Sequence, residues 1–155
     1  MPDDEKVQWE GAYTATFLVE IDDGVEIGRF SEVSGLQIDV DVEEYTEGGE
    51  NGFVYKLPGR MKWPNLVLKR GITKDDVFMR WFQDAVGDGM ASRNGKAVRK
   101  TAAVTLLGPD GVTRLRKWNI VDALPVRWTG PSFASDSTSA AVEELEIAHH
   151  GFRAG

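Results

Sequence analysis

The sequence predicts a mainly β fold: a small antiparallel β-barrel or sandwich of two packed sheets, with one flanking α-helix at about residues 74–87 and a long extended loop at about 43–60. Three observations carry this. Short runs of alternating apolar and polar residues recur along the chain, separated by Gly-, Pro- and Asp-rich turn signals. Only one window, Thr73 to Gly87, spaces its apolar residues as a helix does. No internal repeat or composition break divides the 155 residues, which read as one domain, 1–155.

The elements follow in order. Gly11 to Asp22 alternates, with Tyr13, Ala15, Phe17, Val19 and Ile21 on one face. Asp23-Gly24 supplies a hairpin turn, and Val25 to Phe30 returns. Leu36, Ile38, Val40 and Val42 alternate with Gln37, Asp39, Asp41 and Glu43, predicting a strand with one core face and one acidic face. Glu44 to Asn51 (EYTEGGEN) loses the apolar period and carries paired glycines, as an extended loop or a hairpin tip does.

The stretch KLPGRMKWPNLVLKRG (56–71) holds two prolines in an otherwise strand-like run. Pro58-Gly59 is expected to turn the chain out of the loop. Met61 and Trp63 share one parity, and Leu66 and Leu68 the other. That register switch predicts a bent strand with a bulge at Pro64-Asn65.

For the helix, Thr73 is the expected cap, with Asp75 and Asp76 in the first turn. Val77, Phe78, Trp81, Phe82, Ala85 and Val86 form its apolar face, and Gly87 or Gly89 ends it. Val98, Lys100, Ala102, Val104 and Leu106 then alternate into the turn Gly108-Pro109-Asp110-Gly111. Leu115 to Val121 returns, and Leu124, Val126 and Trp128 alternate with Pro125 opposite them. Thr129 to Ser139 reads as a polar loop and Ala141 to His149 as a last strand, with Leu145, Ile147 and His149 on one parity.

Composition narrows the function. The net charge is −7, with 25 acids against 18 bases, which disfavours binding to a phosphate backbone. The charges are segregated: Lys56 to Arg70 holds five of the bases, while Asp39 to Glu50 holds six acids and no base. Such segregation fits solvated faces and also fits a protein that docks onto copies of itself. The acidic start, Met1 to Glu5, does not resemble a Sec signal, and no apolar run approaches a membrane span, so a cytoplasmic start is expected. With no cysteine there is neither a disulfide framework nor a thiol nucleophile.

No catalytic constellation emerges, so no enzyme and no cofactor are expected. His149 and His150 on a strand face opposite sides and cannot chelate one ion together, even with Glu144 and Glu146 nearby. Ser34 and Ser92 lack a nucleophile elbow. The glycines of EGGENGF are not followed by Gly-Lys-Ser/Thr and lie among acids, which rules out a phosphate loop. Trp9, Trp63, Trp81, Trp118 and Trp128 suit either core packing or a sugar platform.

Six stretches taken together carry a resemblance: FSEVSGL (30–36), EEYTEGGENG (43–52), KLPGRMKWPNLVLKRGIT (56–73), FMRWF (78–82), WNIVDALPVRW (118–128) and EELEIAHHGF (143–152). In order and spacing they resemble the tail-tube proteins of contractile phage tails and related bacterial injection systems. More distantly they resemble the haemolysin-coregulated proteins of type VI secretion. The resemblance implies hexameric rings stacked into a hollow tube inside a sheath, with baseplate or hub and terminator proteins at the ends and protein or DNA cargo in the lumen.

It also implies that the element from Glu43 to Arg60 reaches a neighbouring subunit. The expected contact residues are Glu43, Glu44, Tyr45, Glu47, Gly48, Gly49, Glu50 and Asn51, with Lys56, Leu57, Pro58, Gly59, Arg60, Lys62, Lys69 and Arg70. The acids of one copy would meet the bases of another, and Asp39 and Asp41 are the candidates for the lumen face. Two alternatives stay open: a paralogue forming only the first ring on the baseplate, and a monomeric β-sandwich that binds carbohydrate.

Overall fold

The computed structural model describes residues 15–22, 24–46, 48, 49, 52–72, 74, 76–87, 93–131 and 141–155. Along the chain come β1 (Thr16–Ile21), β2 (Val25–Phe30), β3 (Glu32–Ser34), β4 (Asp39–Tyr45), β5 (Tyr55–Lys62) and β6 (Leu66–Gly71). The helix α1 (Val77–Val86) precedes β7 (Lys100–Leu107), β8 (Arg114–Thr129), β9 (Val142–Ala148) and β10 (Phe152–Ala154). Trp9, Tyr13, Asp23, Thr73, Asp75, Gly89, Ser92 and most of the loop after Gly130 lie outside the described residues.

All ladders are antiparallel. They run in the order β2-β1-β7-β8-β9-β6-β3, with β10 also on β8, while β4 and β5 pair only with each other. Strand β8 makes the architecture. Its first half pairs with β7 and its second half with β9. Between the halves Asp122 takes a positive φ of 52°, a conformation that Asp tolerates better than most side chains. Its carbonyl accepts from Arg99 Nη1 at 3.0 Å. A long strand that bends there can serve two sheets. The sequence splits this strand in two, and it also misplaces the inward positions after the bend. An irregularity between Pro125 and Arg127 buries Pro125 and exposes Val126.

The two layers share one core. Val19, Ile27, Phe30 and Val104 come from one side, and Leu66, Leu68, Leu145 and Ile147 from the other. The helix adds Phe78, Trp81 and Ala85. It starts three residues later than expected, with Asp76 in the cap position but making no side-chain cap, and its first turn holds no acid. Gly87 ends it, donating its N–H to the Gln83 carbonyl at 3.0 Å.

Strands β2 and β3 stand at opposite ends of the ladder order, yet only Ser31 separates them in sequence. No ladder joins β2 to β6 among the described residues, so the sheet stays open and the fold is a sandwich rather than a closed barrel. A polar cluster spans that seam. Arg70 on β6 forms a buried ion pair with Glu143 on β9. Its Nη1 reaches the Ile27 carbonyl on β2 at 3.4 Å, and its guanidinium lies 5.0 Å from the Phe30 ring centroid. Trp128 Nε1 donates to the other Glu143 oxygen at 3.1 Å. A side chain at Gly28 would collide with the guanidinium, so the absence of a Cβ there makes the room.

Arg70 therefore leaves the set of expected intersubunit residues. It continues the inward parity of Leu66 and Leu68, and its charge is neutralised inside its own chain.

Two turns show how local chemistry fixes the frame. Gly35 has φ 89°, and a Cβ there would overlap the Asn65 carbonyl where the chain leaves and re-enters the body. Replacing Gly35 with Ala is expected to cost about 2–3 kcal/mol in a urea unfolding series, because the backbone at both 35 and 65 must move. In the β7–β8 turn the Asp110 carboxylate accepts from Thr113 Oγ1 and from the backbone N–H groups of Val112 and Thr113. The Thr113 hydroxyl first, then those two N–H groups, hold its pKa down at about 2. This stabilisation is present above the ordinary Asp pKa and lost as pH falls through about 2. A carboxyl-carbon NMR titration should show Asp110 ionised at pH 3.

Candidate assembly surface

Among the described residues, strands β4 and β5 form a two-stranded ribbon whose extensive contacts lie within itself. Cross-strand partners share a face, which sorts its side chains. On one face Val40 stands opposite Met61, Val42 opposite Pro58 and Glu44 opposite Lys56, and Ile38 continues the alternation at the base. On the other, Asp39 stands opposite Lys62, Glu43 opposite Leu57 and Tyr45 opposite Tyr55. The ladder slips between Val40 and Val42, so Asp41 alone faces the Gly59-Arg60 step.

This corrects two expectations. Pro58-Gly59 does not turn the chain: it lies inside β5, at the bulge, where a missing ladder bond tolerates proline. The bend near Pro64 is not a bulge in one strand either, because residues 63–65 connect β5 to β6, which belong to different ladders.

A third correction bears on function. The face of Ile38, Val40 and Val42 expected to be core is solvent-exposed, with Ile38 50%, Val40 43%, Val42 54% and Met61 54% accessible. Their alternation is real, but the chain's own body does not cover them. Among the described residues, nine of the sixteen exposed large apolar side chains fall between Ile38 and Met61, so the uncovered surface is concentrated on this element. A lone two-stranded ribbon is marginal in water and needs a packing partner to hold its form.

The predicted contact residues separate cleanly. Glu43, Glu44 and Tyr45 lie on β4, and Lys56, Leu57, Pro58, Gly59, Arg60 and Lys62 on β5, all exposed. Gly48 and Gly49 are exposed at the tip, while Glu47, Glu50 and Asn51 lie outside the described residues. Lys69 is half-buried on the sheet face, between Glu32 and Glu144 of the neighbouring strands. The ribbon's charges are partly satisfied at home: Lys62 Nζ lies 3.0 Å from Asp41 Oδ1, and Gln37 donates to Asp39 at 3.1 Å. Sequence reasoning missed Ile38, Val40, Val42 and Met61 as surface residues, since alternation marks a face to be covered without saying what covers it.

The base of the ribbon is pinned by His149. Pro64 O lies 2.9 Å from Nε2, and Nδ1 accepts from the Gly151 N–H at 3.0 Å, which places the proton on Nε2. Both ring nitrogens are thus occupied in a structural role. Among the described residues no group of three or more His, Cys, Asp or Glu could hold a metal, and no helix is long and apolar enough to cross a membrane.

Among the described residues the tryptophans form no platform. Trp81 is core, Trp63 packs edge-on to Phe152, Arg116 lies over Trp118, and Trp128 is tied to Glu143.

Known proteins share this fold. The tube–sheath complex of an extracellular contractile injection system (PVC, extended state) contains a chain of 26% identity and TM-score 0.73, with 96% of this chain and 93% of that chain covered. A chain in the tube-terminating cap of the anti-feeding prophage is 27% identical with TM-score 0.72, over 99% and 95% of the two chains. Hcp1 from Flavobacterium johnsoniae shares the fold at 14% identity and TM-score 0.51, over 90% and 94%. No curated protein matches. The family described as T4-like virus tail tube protein gp19 matches residues 13–153, nearly the whole chain, and this protein belongs to that family.

Proposed function

We propose that the chain is the repeating, non-catalytic subunit of the inner tube of a contractile tail or injection system. Six copies close into a ring through a heterologous contact, and rings stack along the axis into a hollow tube. Contraction of a surrounding sheath drives the tube outward with its protein or DNA cargo. Baseplate or hub and terminator proteins cap its ends, and assembly takes place in the bacterial cytoplasm.

The observation that carries this reading is the apolar face of the β4–β5 ribbon, finished in pattern but uncovered in the single chain. The ribbon's Glu43, Glu44, Lys56 and Arg60 flank the contact. Each exposed ion pair adds only about 0–1 kcal/mol, but the ring and the stack repeat it. Asp39 and Asp41 are assigned to the lumen, where they repel anionic cargo as it slides. If Asp39→Asn with Asp41→Asn leaves cargo loading and release unchanged, that assignment fails.

The purified chain should elute well above monomer mass by chromatography with light scattering, and negative-stain images should show rings or tubes of one width. A stable monomer that binds glycans would instead favour the carbohydrate-binding alternative.

A further inference from the structure

The ribbon lacks a cover, and elsewhere the same chain has a groove without a filler. Between α1 and the β1–β2 hairpin lies an open groove of about 400 Å³, walled by Ile21, Val25, Val77 and Trp81. Val25 is half-exposed in it. Four charged residues stand at the rim, and each is already paired within the chain. Glu26 pairs with Arg29 at 3.6 Å, Arg80 with Asp76 at 3.2 Å, Asp84 with Arg93 at 3.5 Å, and Lys100 with Asp22 at 2.8 Å. A guest is therefore not drawn in by an unsatisfied charge; the groove offers apolar surface.

One of its walls also holds an unpartnered donor. Trp81 Nε1 is buried and has no hydrogen-bond partner among the described residues, which is rare for a buried polar atom. The guest that suits such a site is apolar on its face and carries free backbone carbonyls along an edge. The ribbon has both, because β4 and β5 pair only with each other and each keeps one unpaired edge.

The geometry points to the groove between α1 and the β1–β2 hairpin as the receptor for the β4–β5 ribbon of a neighbouring copy. Val40, Val42 and Met61 seat against Val25 and Trp81, and the Trp81 indole shifts to donate to an edge carbonyl of the ribbon. This rests on the tube reading above and adds the surface that receives the ribbon.

The chain has no cysteine, so engineered pairs report without background. Val25→Cys combined in one chain with Val40→Cys, Val42→Cys or Met61→Cys, oxidised after assembly, should give a ladder of covalent multimers that reductant collapses. A disulfide forms only when the Cα atoms come within about 7 Å. The control pair Val112→Cys with Val42→Cys should give no ladder. Val25→Arg should raise the concentration needed for assembly at least ~10-fold. Trp81→Phe, which keeps an aromatic side chain, though a smaller one, and removes the donor, should raise it about 3–10-fold. Circular dichroism of the unassembled chain should be unchanged in both.

If wild-type rings form but none of the three cysteine pairs gives a ladder and Val25→Arg assembles normally, the receptor is wrong and the tube reading stands. A wild-type chain that stays monomeric at high concentration overturns both.

Discussion

Glu143→Leu is expected to lower the thermal unfolding midpoint by about 6–20 °C. It strips the buried Arg70 guanidinium of its carboxylate and leaves the Trp128 indole without its acceptor. Breaking one half of a buried pair costs about 3–5 kcal/mol, because the remaining charge stays desolvated. A chain of 155 residues shifts by about 2–4 °C per kcal/mol. The double variant Arg70→Met with Glu143→Leu should recover most of the loss, since an apolar pair of similar volume has no charge to desolvate. The test is scanning calorimetry on the single and double variants under conditions that keep the chain unassembled. A single-variant loss below 1 kcal/mol would mean that water reaches the guanidinium and that the cluster does not hold the β2–β6 seam.

Replacing Val40 and Val42 together with Asp should abolish tube formation at concentrations where the wild-type chain assembles completely. Both side chains are about half exposed in the single chain, so folding loses little, within about 0.5 kcal/mol. In the assembled state each half-exposed valine gains about 0.7–1.5 kcal/mol from completing its burial, and two such losses raise the assembly threshold roughly 10–100-fold. The carboxylates add a desolvation cost on top. Sedimentation velocity across a concentration series reads the threshold, and melting of the unassembled protein reads the fold. By contrast Glu44→Gln, which removes one exposed charge opposite Lys56, should move the threshold by less than about fivefold. Normal tubes from the double Asp variant would remove the ribbon from the assembly contact altogether.

The sequence made much of the fold legible because a half-buried strand writes its burial with a period of two. Val19 and Ile21 on β1, and Leu145 and Ile147 on β9, point inward as their alternation predicts. The same signal at Ile38, Val40 and Val42 is equally clean, and there it marks a face that the chain itself does not cover. Alternation records that a surface avoids water; it carries no record of whether the cover comes from the same chain.

Charge misled at Arg70, whose parity with Leu66 and Leu68 already placed it inside. Its partner Glu143 keeps the inward parity of Leu145 and Ile147, but the two lie 73 positions apart and no local pattern joins them. The β8 bend escaped for a related reason. A slip at Pro125–Arg127 inverts the apparent faces of the strand's second half, and slips are set by the neighbouring strand rather than by local sequence.

The ribbon's separation from the core has a kinetic consequence. The body can complete its folding without this element, so assembly as proposed would begin from folded domains that each carry one unfinished strap. Ordering that strap is deferred to the moment of attachment, which weakens the first encounter between two copies and favours addition where an organised end already exists. On that reading initiation without a seed is expected to be slower than elongation from one, and the abundance of seeds would set the number of tubes.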